Sequence, residues 1–117
     1  FGEPNIMKNY KKAFRYFYKS AESGIVDSKY QLAECHMFGI GTEKDEKLAI
    51  QYYKEASKEG NLMAHSRLCD AYRSGIGVEK DINKALEYNA RARGHGNYNA
   101  ENVYFANDLQ YLLREYA

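Results

Sequence analysis

The sequence of 117 residues contains no Trp, one Pro and two Cys, and neither sign of charge is in large excess. The 17 Lys and Arg residues are balanced by 16 Asp and Glu, so the net charge of +1 does not by itself predict binding to nucleic acid or to an anionic membrane. No apolar run approaches the ~18 residues of a membrane span, and the amino terminus lacks the basic and apolar segments of a signal peptide. We therefore expect a soluble chain that does not enter a membrane.

The two cysteines, Cys35 and Cys69, fall at different positions of the repeat described below, so they are not a recurring pair. Disulfide frameworks of small secreted proteins normally show an even set of cysteines at recurring spacings. We expect two reduced, partly buried thiols, which favours a reducing compartment and a cytoplasmic location.

The sequence does contain an internal repeat. The segment GIGTEKD at Gly39–Asp45 returns 36 residues later as GIGVEKD at Gly75–Asp81, and Ala49 and Ala85 follow at the same distance. A fixed period of this length indicates one supersecondary unit stacked on copies of itself. We expect a single domain made of half a repeat, two repeats and a capping helix, with boundaries at residues 1–24, 25–60, 61–96 and 97–117. Because Phe1-Gly2 resembles Phe38-Gly39, we also expect a fragment of a longer repeat protein.

Apolar residues recur at helical spacing between the glycines, which predicts five full helices and no strand. The predicted helices alternate between the first and second members of a pair, over residues 9–23, 25–38, 47–59, 61–74 and 83–93. We expect Asn9, Asp45 and Asp81 to cap the second helices, because a short polar side chain accepts hydrogen bonds from the free N–H groups of a first turn.

Small residues are predicted where helices cross closely. Ala49 and Ala85 occupy equivalent positions in second helices, and a larger side chain there would overpack the helix pair. The last junction is expected to be the softest, because Asn89 replaces an aromatic ring and Gly94 and Gly96 follow it.

The spacing of these residues resembles the Sel-one-like repeat (SLR), a 36-residue α/α relative of the tetratricopeptide repeat. The second copy matches the family pattern in order through Ala64, Leu68, Tyr72, Gly75, Gly77, Asp81, Ala85, Tyr88, Ala92 and Gly96. The first copy departs from it at Ser28 and at His36, where Tyr is usual. The resemblance implies an all-α, right-handed α/α superhelix that acts as a non-catalytic protein-interaction scaffold. It does not imply the disulfides of cysteine-rich members, whose paired cysteines are closer together.

The resemblance also implies a location for the partner. In tetratricopeptide-like stacks the first helices line the concave surface, and residues off the packing stripe point into the groove. Alignment on Leu32 and Leu68 selects eight candidate partner-binding residues, which differ between the copies: Asp27, Tyr30, Glu34, Met37, Met63, Ser66, Asp70 and Arg73.

Among these candidates, Tyr30, Met37 and Met63 are of types enriched at protein interfaces. We expect them to supply most of the contact with a peptide or partner domain. Glu34 and Asp70 would then favour a partner segment that contains a basic residue.

An alternative partner class is indicated by basic residues spaced 3 or 4 apart in the first predicted helix: Lys8, Lys11, Lys12, Arg15 and Lys19. We call this set the basic stripe. It is typical of a solvated helix face, and it would also suit a module that binds an acidic protein or nucleic acid.

Only one constellation could support chemistry, namely Cys35-His36 together with His65 and Cys69, whose soft ligands suit zinc. Aligned positions place Cys69 opposite Ala33 and away from Cys35, so we expect no metal site. Nucleophilic catalysis would need an orienting group and an oxyanion site. The Gly-x-Gly turns lack the Gly-Lys-Ser/Thr ending of a phosphate loop. We therefore expect no enzymatic activity and no cofactor.

Overall fold

A computed structural model describes residues 5–93, and it contains side-chain detail for residues 8–92. This part of the chain forms five helices: α1 (Asn5–Glu22), α2 (Val26–Phe38), α3 (Glu46–Lys58), α4 (Leu62–Ser74) and α5 (Ile82–Arg93). It contains no strand. Each helix packs against the next along the chain. The predicted all-α repeat architecture is confirmed.

Two of the predicted helix caps are confirmed and one is wrong. The Leu48 N–H donates to Asp45 Oδ1 at 3.1 Å, and the Lys84 N–H donates to Asp81 Oδ1 at 3.2 Å. Asn9 does not cap a helix, because it lies inside α1, which begins at Asn5. Residues 5–8 contain no Gly or Pro, so nothing in the backbone stops the helix from continuing through them.

The second glycine of each Gly-x-Gly turn lies where two repeats approach each other closely. Gly41 has a φ of 71°, and a Cβ at this position would collide with the backbone carbonyl of Tyr10 in α1. Gly77 has the same φ, and its Cβ would lie 2.7 Å from the carbonyl oxygen of Glu46 in α3. The turn after each first helix is therefore held against the start of the preceding second helix, and only glycine fits there.

The core lies between the paired helices, as the small residues predicted. Ala33, Ala49 and Ala85 are fully buried, and Leu68 beside them has no exposed surface. Tyr53 is the largest side chain with none of its surface exposed. The expected burial of these alanines is confirmed, and a larger side chain at Ala49 or Ala85 should overpack the helix pair.

None of the described helices is both long enough and apolar enough to cross a membrane. Two predictions fall outside the described residues, namely the capping helix at 97–117 and the backbone freedom at Gly94 and Gly96. Asn89, which replaces an aromatic ring at the last junction, is 1% exposed.

Candidate partner-binding site

The first helices α2 and α4 each present one row of residues that the core does not cover. We call the two rows the first-helix face; they consist of Asp27, Gln31, Glu34 and Phe38 in α2, and Met63, Arg67, Asp70 and Ser74 in α4. All eight are exposed or half-buried. Within each helix they are separated by four, three and four residues, which places them on one side of the helix.

Six of the eight candidate residues predicted from the sequence have accessible surface. Asp27 and Met63 are exposed, and Met63 retains 59% of its surface. The other accessible candidates are half-buried: Glu34, Ser66, Asp70 and Arg73.

Tyr30 and Met37 are core residues, so the prediction that they lie off the packing stripe is wrong. Tyr30 is 5% exposed and Met37 is 9% exposed. The Tyr30 ring lies against Tyr53, with 5.8 Å between the ring centroids. The alignment assigned α2 a narrow buried stripe, whereas α2 packs against both α1 and α3 and buries seven of its 13 residues.

Sequence reasoning missed four members of the first-helix face: Gln31, Phe38, Arg67 and Ser74. Phe38 is the last residue of α2, and it retains 55% exposed surface. Its position four residues after Glu34 was the available signal, because this spacing places both on one side of the helix. Arg67 follows Met63 by the same interval.

Arg67 links the two helices of this face. Its Nε donates to Glu34 Oε1 at 2.7 Å, and its Nη2 donates to Glu34 Oε2 at 3.3 Å, so the guanidinium group binds the carboxylate with two bonds. The hydroxyl of Tyr53 in α3 also donates to Glu34 Oε1 at 2.7 Å. Three successive helices therefore meet at one carboxylate.

The environment of this cluster keeps Tyr53 protonated and Arg67 charged. Burial raises the pKa of Tyr53 far above its ordinary value, and the hydrogen bond to Glu34 raises it further. Burial alone would lower the pKa of Arg67, but hydrogen bonds to Tyr30 and Glu34 and the negative charge of Glu34 outweigh it, so the net shift is upward. The Arg67 guanidinium group therefore remains charged across the physiological pH range.

Two of the three acidic residues of the first-helix face, Glu34 and Asp70, are paired with cations of the protein. Glu34 is neutralised by Arg67, and Asp70 Oδ1 lies 3.2 Å from Nη2 of Arg73. This pairing weakens the argument for charge steering by Glu34 and Asp70. The face instead presents two well-exposed apolar side chains, Phe38 and Met63, and the guanidinium group of Arg67 lies 5.6 Å from the centroid of the Phe38 ring.

The basic stripe is on the surface of α1. All five of its residues are exposed. Tyr16 on the same helix is 65% exposed, which is the largest exposed fraction among the bulky apolar and aromatic residues described.

The cysteines offer little reactivity. Cys35 and Cys69 are both buried, and neither forms a disulfide with the other. Burial raises the pKa of the Cys35 thiol, and the nearby Glu34 carboxylate raises it further, so the thiolate that a nucleophile requires is disfavoured. Within the described part of the chain, no three His, Cys, Asp or Glu side chains are grouped closely enough to hold a metal ion.

Comparison with known proteins gives a consistent family assignment. The family model for the Sel1 repeat matches residues 1–25, 26–61 and 62–96. Proteins of this family generally act as protein-interaction scaffolds and are generally non-catalytic. No curated protein sequence matches the chain.

Solved structures resemble the fold. A protective antigen of uropathogenic Escherichia coli with an SLR fold, c5321, superposes with a TM-score of 0.78 and 26% identity over 88% of this chain. The chain spans only 21% of the length of that antigen. Helicobacter pylori cysteine rich protein B has a TM-score of 0.67 and 25% identity, and the match covers 73% of this chain and 64% of that protein.

A Sel1 repeat protein from Oxalobacter formigenes is similar in fold, with a TM-score of 0.68, 24% identity, and coverage of 71% of this chain and 63% of that one. The family model matches most of the sequence, and the helix pairs, the glycine turns and the buried alanines agree with it. The chain belongs to the Sel1 repeat family.

Proposed function

We propose that this chain is a non-catalytic interaction module whose first-helix face binds a peptide or a partner domain on the concave side of the repeat stack. The observation that supports the proposal most directly is the exposure of Phe38 and Met63 on neighbouring first helices. Exposed aromatic and Met side chains beside a fixed Arg are typical of the energetically dominant residues of protein interfaces.

The hydrogen-bonded cluster beneath Phe38 supports the same proposal. Arg67, Glu34 and Tyr53 hold one another through bonds of 2.7 Å, so a partner would not have to immobilise the Arg67 side chain on binding. Interfaces gain affinity when such groups are ordered before the partner arrives, because less conformational entropy is lost.

Residues of the first-helix face differ between the two copies of the repeat. Asp27 and Met63 are equivalent positions, as are Phe38 and Ser74, and each pair differs in chemistry. The buried positions Ala49 and Ala85 are the same. The repeats thus keep these two alanines of the core and differ at residues of the first-helix face that a partner would contact.

Affinity capture from a native lysate tests the proposal. Phe38→Ala/Met63→Ala should lose the captured proteins, because both exposed apolar side chains are removed. The matched control is Tyr10→Ala/Tyr16→Ala, which removes two exposed rings of 41% and 65% exposure from α1. All variants should keep the thermal stability of the wild type, since the altered side chains are on the surface. Equal capture by the two double variants would contradict binding at the first-helix face.

The alternative partner class is an acidic protein or a nucleic acid bound to the basic stripe. The exposure of all five basic residues on α1 supports it. Binding through this stripe would weaken steeply as the salt concentration rises, because each neutralised phosphate releases a counterion. Binding through Phe38 and Met63 would change little over the same range.

A further inference from the structure

A cavity of about 340 Å³ lies between α3, α4 and α5, away from the first-helix face. Its walls are formed by Lys54, Ser57, Lys58, His65, Tyr88 and Arg91. This volume is at the lower end of the range for sites that bind small ligands. We call it the second-junction pocket.

Positive charge is concentrated in this pocket. Lys54, Lys58 and Arg91 are cationic, and none of the described residues that line the pocket has a carboxylate. Across the described part of the chain, these three cations form no ion pair with an acidic side chain. Several unpaired cations around one cavity repel each other, and a bound anion would offset that repulsion.

Aromatic rings position two of the cations. The guanidinium group of Arg91 lies 4.9 Å from the centroid of the Tyr88 ring, and Lys54 Nζ lies 5.8 Å from that of Tyr72. The two tyrosine rings stack on each other, with centroids 5.8 Å apart and planes 7° apart. Cation–π contacts of this kind favour particular positions for the charged groups and leave their N–H donors available.

The preceding junction contains an equivalent pocket with different charges. It has a volume of about 180 Å³ and is lined by Tyr18, Ala21, Glu22, Lys29, Leu32, Tyr52 and Glu55. Six of these residues precede the six lining residues of the second-junction pocket by 36 positions. Glu22 corresponds to Lys58, and Glu55 corresponds to Arg91.

Lys29 is the one cation among the described residues that line the first pocket, and it is already neutralised, because its Nζ lies 2.9 Å from Glu59 Oε1. The repeat fold therefore accommodates glutamates where the second-junction pocket has Lys58 and Arg91. The cations of the second-junction pocket are therefore not required by the repeat architecture. A bound anion would offset the repulsion between them.

We propose that the second-junction pocket binds a phosphate group. A phosphate monoester has a charge between −1.5 and −2 at neutral pH and three strong acceptor oxygens. Three cations and the hydroxyl of Ser57 match that charge and number of acceptors, whereas a carboxylate has one charge and two oxygens. The group could belong to a small phosphate compound or to a phosphorylated side chain. This site does not depend on the first-helix face.

An NMR titration with inorganic phosphate, at ionic strength held constant with sodium chloride, tests the proposal. Saturable shifts should concentrate at the amides of Ser57, Lys58, Tyr88 and Arg91. Lys58→Glu/Arg91→Glu gives this pocket the acids of the first one and should weaken binding at least about tenfold. Both residues are exposed, so the variant should keep its fold, and Lys58→Gln/Arg91→Gln repeats the test without charge reversal.

Lys12→Glu is the matched control, because Lys12 is an exposed cation on α1. It should change phosphate affinity by less than about twofold. Equal weakening by the Lys12 variant would overturn the proposal in favour of general electrostatic attraction, as would the absence of saturable shifts in the wild type.

A second titration distinguishes the sources of the phosphate group. A short phosphoserine peptide that binds at least about tenfold more tightly than inorganic phosphate, while its unphosphorylated form does not bind, would assign the site to a phosphorylated partner. Affinity no better than that of inorganic phosphate would assign it to a small compound. Shifts that are the same for the phosphorylated and unphosphorylated peptides, together with no response to inorganic phosphate, would refute a phosphate site.

Discussion

The junction formed by α1, α2 and α3 and the junction formed by α3, α4 and α5 share one framework, and three of the differences between them change charge, ring type or buried hydrogen bonding. One difference is the charge of the pocket, with glutamates in the first junction and cations in the second. The other two are single substitutions in the core. The comparison shows which positions determine the shape of the repeat and which are available for other roles.

The stacked ring pair keeps its geometry while one ring changes. In the first junction His36 stacks on Tyr52 with centroids 5.7 Å apart and planes 9° apart. In the second junction Tyr72 stacks on Tyr88 with almost the same values, 5.8 Å and 7°. Flat aromatic packing is therefore what the framework requires here, and imidazole and phenol both supply it.

The two junctions differ more in the hydrogen bonding of one buried side chain than in the geometry of the stacked rings. Tyr53 in α3 is fully buried, and its hydroxyl donates to Glu34. The equivalent residue in α5, Asn89, is 1% exposed, and neither its amide nitrogen nor its amide oxygen has a hydrogen-bond partner among the described residues. An unsatisfied buried amide lowers stability, so the two junctions should differ in stability although their framework residues agree.

The largest loss of stability is expected from substitution of the glycine that contacts the preceding repeat. Gly41→Ala should lower the free energy of unfolding by about 2–5 kcal/mol, from left-handed backbone strain and from the collision with the Tyr10 carbonyl. Gly39→Ala is the control, because it has the same strain and its Cβ would meet neighbours at an ordinary 3.6 Å. It should cost about 1–2 kcal/mol in urea denaturation. Equal costs would show that repeat contact is not what selects Gly41.

Asn89→Leu is expected to stabilise the protein by about 1–2 kcal/mol, because it removes two unsatisfied polar atoms and keeps the same branched arrangement of side-chain heavy atoms. The matching change Tyr53→Leu should destabilise it, since the bond to Glu34 and a well-packed ring are lost. Urea midpoints of the two variants should move in opposite directions. A shift to lower urea concentration for Asn89→Leu would mean that this amide has a stabilising role.

A smaller change in stability is expected when the pH is lowered. Burial lowers the pKa of His36, and the Asp45 carboxylate offsets part of this shift. Its Nδ1 is buried and has no hydrogen-bond partner within residues 8–92. Below the ordinary histidine pKa of 6.5 the unfolded chain takes up a proton that folded His36 resists, so stability falls as the pH falls through that range.

His36→Tyr gives the first junction the ring that Tyr72 supplies in the second. It should remove the loss of stability that protonation of His36 causes at low pH. The difference in unfolding free energy between the variant and the wild type should therefore grow in favour of the variant as the pH falls from 8 to 5. A difference that stays constant over that range would show that His36 is protonated equally in the folded and unfolded chains.

Short-range sequence signals predicted the framework well. Gly39 and Gly75 mark helix ends, and Asp45 and Asp81 mark helix starts, because these roles depend on the backbone within a few residues. Asn9 was assigned wrongly because its equivalence to Asp45 did not reveal that α1 begins four residues earlier.

Side-chain accessibility was harder to predict because it depends on contacts distant in sequence. Tyr30 was expected on the surface, but it packs against Tyr53 from another helix. Arg67 and Glu34 are 33 residues apart, and neither indicates the other in the sequence. The second-junction pocket draws its residues from three helices, so only the folded chain shows that its cations are close together.

The proposal that the first-helix face binds a partner can be tested directly by NMR of methyl-labelled methionine. The chain has three methionines, of which Met63 is 59% exposed on that face and Met37 is 9% exposed in the core. When a captured partner is added to saturation, the Met63 methyl signal should shift or broaden and the Met37 signal should stay close to its free position. An unchanged Met63 signal in the saturated complex would contradict binding at the first-helix face.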